Sequence, residues 1–306
     1  MFRFIIRRLI VTLPMVLMVV SLTWALIRLA PGNFYTGEKP IPPAIEENLR
    51  AKYGLDQPWY VQYGRMLGNT LRGDFGNSLR YQGQSVNEIL YISLPVSASV
   101  GFAAYLVAVL VGVTVGVISA VKQNSRMDYT SMGFAMIGIS VPNFVLGPIL
   151  VLGFALTLFW LPPARWEGFF SVHTILPVLT LSSVYMAYIA RLSRSGMLEV
   201  LGSNYIRTAR AKGLDEKNVI LRHGLRGGLL PVVSFSGPAL AFLISGTVVV
   251  ERIFALPGLG NYFINANLNR DEPLIIGIVA FMSISILLFN LLVDVAYGFL
   301  DPRVRY

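Results

Sequence analysis

Cysteine is absent from the 306 residues, and histidine occurs only twice. Without cysteine the chain has no disulfide frame, no thiol nucleophile and no cysteine-based metal site. His173 and His223 fall on opposite sides of the membrane in the topology argued below, so they share neither a metal nor a catalytic triad. G-x-S-x-G and H-E-x-x-H are also missing, which counts against intramembrane proteolysis. No G-x-x-x-x-G-K-[ST] phosphate loop occurs, so any energy drawn from a nucleotide must come through another chain. Charge is scarce too, at 13% of residues. None of it stands near the centre of an apolar stretch, unlike the pattern of a proton-coupled carrier or a pump with an internal carboxylate relay.

What the chain has in abundance is apolar length. It is 55% hydrophobic with mean hydropathy +0.63, outside the range of soluble domains. Six stretches are long enough to cross a hydrocarbon core of about 30 Å, which takes roughly 20 helical residues. They are 9–27, 96–121, 131–160, 172–190, 229–250 and 274–293. The expected fold is therefore an all-α integral membrane protein. With the N-terminus inside, the inner segments hold 15 of the 25 basic residues and sum to +9, while the outer segments sum to zero. This asymmetry predicts a multi-pass protein with both termini in the cytoplasm. It also explains the net charge of +9 without a nucleic-acid partner. Arg191 and Arg194, close to a span, are read as anchors meeting anionic membrane lipid.

Arg3, Arg7 and Arg8 precede the first stretch, as they would in a cleaved signal peptide. A signal core is shorter and ends at a small-x-small site, whereas this stretch runs to Arg28-Leu-Ala-Pro-Gly32 and is read as a retained anchor. Residues 31–94 turn soluble and form a small helical insert, with one helix between Pro42-Pro43 and Gly54 and another from Pro58 to about Gly73. Ser85 and Glu88 make a capping box for a last amphipathic turn before Pro95 and the second stretch. Trp59, Tyr60 and Tyr63, at helical spacing, pack the insert, sit at headgroup level or dock a partner. Gly112-Val-Thr-Val-Gly116 permits close helix approach. The third stretch is too long for one straight crossing, and Pro142 predicts a kink flanked by Ser140 and Asn143, which either pack or line a pathway. The fifth stretch ends with Glu251 and Arg252 at the outer interface. An apolar, turn-rich loop containing Pro257, Gly258 and Gly260 then folds back on the protein.

One polar, basic segment, 204–231, interrupts this pattern, taking up most of an inner loop at about 192–228 and reaching the start of the fifth stretch. Asn204 is placed as a helix N-cap, Gly213 as a left-handed stop, and Asp215 as the cap of a second short helix running toward Pro231. Tyr205, Ile206 and Ala209 give an apolar side suited to entering a groove, with Arg207, Arg210 and Lys212 around it. The segment reads as a handle on which another chain pushes. A membrane scaffold and a stand-alone channel or carrier are the rival readings, and both would work without an ATPase.

Tyr205-Ile-Arg-Thr-Ala-Arg-Ala-Lys-Gly-Leu214 resembles the coupling loop of type I ABC importer permeases of the peptide and nickel group. Arg207-Thr208-Ala209 stands where many relatives have Glu-Ala-Ala. The resemblance extends through Arg28-Leu-Ala-Pro-Gly32, Gly73-Asp-Phe-Gly76 with Ser78, Ser140-Val-Pro-Asn-Phe144, Glu251-Arg-Ile-Phe-Ala-Leu-Pro-Gly-Leu-Gly260, Arg270-Asp271 and Asp301-Pro-Arg. The Thr36-Gly-Glu-Lys start of the insert is most similar to the B-type permease of oligopeptide importers, although dipeptide, nickel and glutathione relatives share most motifs.

This resemblance implies six transmembrane helices of the type I importer permease fold. Residues 1–30 would form the N-terminus and first helix, 31–94 a periplasmic insert, 95–300 the other five helices, and 301–306 a cytoplasmic tail. It implies half of a translocation path, with no catalytic site and no cofactor on this chain. The partners would be a homologous second permease, two ATPase subunits holding ATP and Mg, and a solute-binding protein delivering peptide. Tyr205, Ile206, Arg207, Thr208, Ala209, Arg210, Ala211, Lys212, Gly213 and Leu214 would couple to an ATPase. Ser140, Pro142, Asn143 and Ser236 would line the path, and Glu251, Pro257, Gly258 and Gly260 would form an outer loop or gate.

Overall fold

Small residues set the axis of the molecule. The computed structural model describes residues 2–30, 47, 48, 51 and 54–300, with side chains from Ile10 to Val295 within that set. Of the helix expected after Pro42-Pro43, residues 47, 48 and 51 are helical; its other residues before Gly54, the Thr36-Gly-Glu-Lys segment and the 301–306 tail lie outside the described residues. Helix α1 is Phe2–Leu29, α2 Trp59–Leu71 and α3 Val86–Val121. They are followed by α4 (Arg126–Ser140), α5 (Asn143–Leu150) and α6 (Ile175–Leu201). Helices α3 and α6 run parallel in close contact: a Cβ on Gly112 would stand 2.8 Å from the Met186 carbonyl oxygen, and one on Gly116 would stand 2.4 Å from that of Ala190. The small-xxx-small pattern thus sets backbone against backbone, where packing rather than hydrophobicity holds helices together in lipid.

The chain continues through α7 (Asn204–Ala211), α8 (Glu216–Asn218), α9 (Leu225–Gly228), α10 (Leu230–Ile244), α11 (Val248–Ile253), α12 (Leu259–Leu268) and α13 (Glu272–Leu300). Helix α10 runs antiparallel to α3, with Ala108 packed near Val232 at one end and Gly101 facing Leu243 at the other. Helix α13 lies against α10 and α1, burying Val16, Val20 and Trp24 with Ile276 and Ala280. Among the described residues, five helical segments are long and apolar enough to cross a membrane alone, and a bent pair counts as a sixth when its two helices are taken as one span.

That bent pair is the third apolar stretch, and it is broken rather than kinked. Helix α4 ends at Ser140, Val141 is extended (φ −100°, ψ 114°), and Pro142 caps α5, whose axis turns by 106°. A proline inside a helix costs a bond and bends it; here the pre-proline residue has left helical space altogether, as steric clash with the ring favours. A π-helical turn at Val151–Thr157 ends α5, which packs against the start of α6 and against α11. A second difference concerns α3, which runs unbroken through Pro95. The Ser85 hydroxyl accepts the Glu88 N–H at 3.1 Å, so the expected amphipathic turn is the first part of the second spanning helix.

The aromatic cluster on α2 divides. Tyr63 packs on Trp24 at 5.2 Å and its hydroxyl shares a 2.8 Å hydrogen bond with Ser21, whereas Trp59 and Tyr60 stay exposed.

Candidate functional site

The basic segment folds as a hairpin fused to the end of α6. Ser203, not Asn204, holds the N-cap position of α7 (φ −74°, ψ 157°), and its hydroxyl donates back to the Val200 carbonyl at 2.6 Å. At the other end Gly213 adopts φ +75°. The Leu214 N–H reaches the Ala209 carbonyl at 3.3 Å and the Gly213 N–H that of Arg210 at 2.9 Å. This paired closure is the Schellman arrangement, and it requires a residue free to enter left-handed space. Asp215 then occupies the N-cap position of α8 without a side-chain capping bond, and α8 passes through a π-helical turn at Val219–Gly224 into α9. Pro231 does not stop this helix; it stands in the first turn of α10, where its missing N–H has no helical partner to lose.

The apolar side of α7 faces inward. Ile206 is fully buried and Ala209 nearly so, both packed with Val219 beside Val200 and Leu201. The expectation that these two enter a groove on another chain is therefore corrected: this chain's own second helix fills that role. A single eight-residue amphipathic helix could not distinguish the two arrangements by pattern. The outward surface consists of Tyr205, Arg207, Thr208, Ala211, Lys212 and Leu214, with Leu221 further along. Arg210 grips Glu216 through two bonds of 3.1 and 2.6 Å, which holds the Glu216 carboxyl below the usual carboxylate range. Both groups are exposed, so the pair ties α7 to α8 geometrically and adds little stability. Close contact with α6 completes the joint: a Cβ on Gly196 would stand 2.2 Å from the Gly228 carbonyl oxygen.

At the opposite end of the spanning helices, two buried carboxylates organise the loops. Glu251 is buried within the chain, 3% exposed. It accepts a hydrogen bond from the Ser97 hydroxyl at 2.7 Å and from the Asn261 N–H at 3.3 Å, with the Gly260 N–H also bonded to it. Ser97 accepts the Leu259 N–H at 2.8 Å. The carboxylate therefore sits at the N-terminus of α12, where orphan N–H groups and the helix dipole favour negative charge. Gly258 and Gly260 are required for space: a Cβ on either would stand 2.5 or 2.9 Å from the Glu251 carboxylate. Pro257 is exposed on the turn before them. The loop does fold back, burying Phe254, Leu256 and Leu259.

Asp271 plays the parallel part for the segment between α2 and α3. Fully buried, it accepts a bond from the Ser78 hydroxyl and from the N–H groups of Leu79 (3.0 Å) and Arg80 (3.2 Å), and also caps α13 through Leu274 N–H. Two motifs far apart in sequence, Gly73–Ser78 and Arg270-Asp271, are thus one joint. Asp271→Ala should take the shared acceptor away from four donors, at about 3 to 5 kcal/mol. The expected readouts are a lower melting temperature and faster proteolytic cutting within 73–85. Asp271→Asn, which keeps an acceptor, should show a smaller change.

The residues expected along a pathway do not form one cluster. Ser140 is exposed at the break and donates to the Met136 carbonyl, and Asn143 lies 3.5 Å from the Ser183 hydroxyl of α6. Ser236, on α10, donates to the Val232 carbonyl and accepts from the Tyr105 hydroxyl of α3. Tyr105 carried no sequence signal beyond one hydroxyl in an apolar run. Arg194 is also reassigned: instead of facing lipid, it pairs with Asp128, which is 3% exposed. Ser125 three residues before Asp128 was a legible capping pattern, and the Ser125 hydroxyl does accept the Asp128 N–H at 3.3 Å.

Comparison with known proteins agrees with this architecture. Residues 1–99 match the N-terminal membrane component of binding-protein-dependent transport systems, and residues 112–306 match the family described as "Binding-protein-dependent transport system inner membrane component". The oligopeptide transport system permease protein OppB of Salmonella typhimurium is 47% identical over 306 residues, covering 100% of both chains. The corresponding Haemophilus influenzae protein is 45% identical, again over 100% of both chains. The dipeptide transport system permease protein DppB of Bacillus subtilis is 40% identical over 305 residues, covering 100% of this chain and 98% of that one. The fold resembles a chain of the inward-facing MetNI methionine ABC transporter, with TM-score 0.56 and 16% identity over 70% of this chain and 96% of that one. From Met1 to Tyr306, with the broken third stretch and the basic hairpin in place, the chain belongs to the family of inner membrane components of binding-protein-dependent transport systems.

Proposed function

We propose that this chain forms half of the translocation path of an ATP-driven importer of oligopeptides, with its basic hairpin and both termini in the cytoplasm. The observation that carries the reading is the hairpin itself. It is a compact, cationic element packed onto the end of α6 and closed on its own apolar side, with Arg207, Lys212 and Leu214 outward. Such an element suits a partner that pushes. The full-length likeness to permeases named for oligopeptide transport supports the substrate class.

A homologous second permease completes the path, two ATPase subunits bind ATP and Mg, and a solute-binding protein delivers peptide at the other face. ATP-driven closure of the ATPases displaces the hairpins, opening the permease pair toward the binding protein, and hydrolysis resets it. On this reading the outward surface of 205–214 couples to the ATPase, while Ile206 and Ala209 shape the hairpin from within. Ser140, Pro142 and Asn143 at the break, and Ser236 with Tyr105, are wall candidates. Their neutral polarity suits peptides of varied sequence selected elsewhere. Glu251, Gly258 and Gly260 hold the outer loop.

The 40% identity to a permease named for dipeptides favours one second reading, the same machine serving shorter peptides. Purified from its native membrane, the chain should bring a P-loop ATPase and a second permease with it. ATP hydrolysis should rise when a peptide-loaded binding protein is added. In cells lacking the chain, its return should restore uptake of peptides longer than dipeptides more than that of dipeptides or nickel. Full uptake by the chain alone, without ATP, would overturn the proposal.

A further inference from the structure

Asp128 and Arg194 belong to neither the hairpin nor the outer joints, yet they join three helices. The Arg194 guanidinium donates from Nε to Asp128 Oδ1 at 2.9 Å and from Nη2 to Oδ2 at 2.7 Å. The same carboxylate takes the Ser119 hydroxyl near the end of α3, and the Asn124 N–H at 3.0 Å from the connecting turn. Arg194 Nε also reaches the Ser119 hydroxyl at 3.0 Å. One turn before Ser119, Gly116 lets the α6 backbone come close enough for this network to form.

The rest of the α4–α6 contact is smooth. Ala135 packs with Ala187 and Ala190, and Gly138 faces the Ser183 carbonyl. Small residues of this kind allow close approach but offer few protrusions to resist sliding. A buried ion pair adds little net stability over an apolar replacement of similar size, because desolvation offsets the attraction. What a planar two-bond fork does supply is a fixed distance and angle. Beyond Arg194, α6 runs unbroken to Leu201 and leads directly into the hairpin, while the far end of α4 is the 106° break at Val141–Pro142.

We propose that the Asp128–Arg194 pair is a positioning element that makes α4 follow α6, carrying displacement of the hairpin to the α4–α5 break. This rests on the importer reading above. Arg194 and Asp128 act through helix placement, not by touching peptide.

The test uses the complete importer in proteoliposomes, with partner subunits freed of cysteine. The absence of cysteine from this chain makes labelling specific. Spin labels go on Phe134→Cys of α4 and Ser195→Cys of α6, both at exposed positions. Without the charge variants, their separation should be the same with and without ATP. The pair Asp128→Leu with Arg194→Met removes the charges while keeping bulk. It should retain both ATPase subunits and basal hydrolysis. The label separation should now change with nucleotide, and the stimulation of hydrolysis by loaded binding protein should fall about tenfold together with uptake. Arg194→Lys, which keeps the charge but loses the fork, should fall between the two.

Normal uptake with an unchanged separation in the double variant would overturn the proposal. So would loss of the ATPases from it, which would make the pair a structural support only. Failure of the importer reading is separately visible, because the parent complex would then show no stimulation at all.

Discussion

Aspartate at both Ala211 and Leu214 should abolish ATP-driven uptake while leaving the chain folded in the membrane. Both side chains face outward, away from the Ile206, Ala209 and Val219 cluster, and Leu214 contributes to the left-handed turn at Gly213 only through its backbone N–H, which the substitution keeps. An anion at Ala211 opposes the C-terminal dipole of α7, at about 0.5 kcal/mol, too little to unfold a hairpin packed on α6. Against a partner groove the cost is larger. A central interface anchor is worth about 2 kcal/mol or more, roughly thirtyfold in affinity. Two such losses should release the ATPase during purification. Ile206→Asp provides the contrast: it puts a charge into this chain's own packing and should reduce the amount of folded chain. ATPase retention at the parental level with both aspartates present would remove the outward face of the hairpin from the coupling contact.

The contrast between Ile206 and Leu214 also marks how much was legible beforehand. Local physics was readable: apolar length gave the spans, Gly213 gave the turn, and Ser85 gave the cap of α3. What pattern could not supply was which neighbour receives each face. Ile206 and Ala209 are apolar whether they enter a foreign groove or pack on Val219. The same holds for the carboxylates. Glu251 and Ser97 are 154 residues apart, Asp271 and Ser78 193, and Asp128 and Arg194 66. Each acid was visible as a charge near a helix end; its partner was not. Pro142 signalled a bend but not its size, which depends on how α5 packs against α6 and α11. Helix α12 was the exception, because Leu259, Tyr262, Phe263 and Ala266 keep a helical period after Gly258 and could have revealed it.

Glu251→Ala should uncouple the outer end of the molecule without touching the inner one. The change leaves the Ser97 hydroxyl and the N–H groups of Gly260 and Asn261 without their shared acceptor, at about 3 to 5 kcal/mol. Because those donors hold the start of α12, the loss should appear locally, as faster hydrogen exchange across Leu259–Leu268, with little change in α3 or α6. Ser97→Ala removes one donor and one acceptor of the same joint and should produce a weaker version. Both variants should keep the ATPase subunits and basal hydrolysis, since the hairpin is at the other end of the spanning helices. Uptake and its stimulation by loaded binding protein should nevertheless fall. The geometry explains why the defect should travel: Ser97 and Ser119 lie on one uninterrupted helix, α3, about 33 Å apart along its axis. One residue fastens the outer loop, and the other joins the Asp128–Arg194 pair. A rod fastened at both ends can open one face only while it closes the other, and a rod released at its outer end turns hydrolysis into motion that moves no peptide. Normal uptake by Glu251→Ala, with α12 exchanging as in the parent, would show that the outer joint is not part of the cycle.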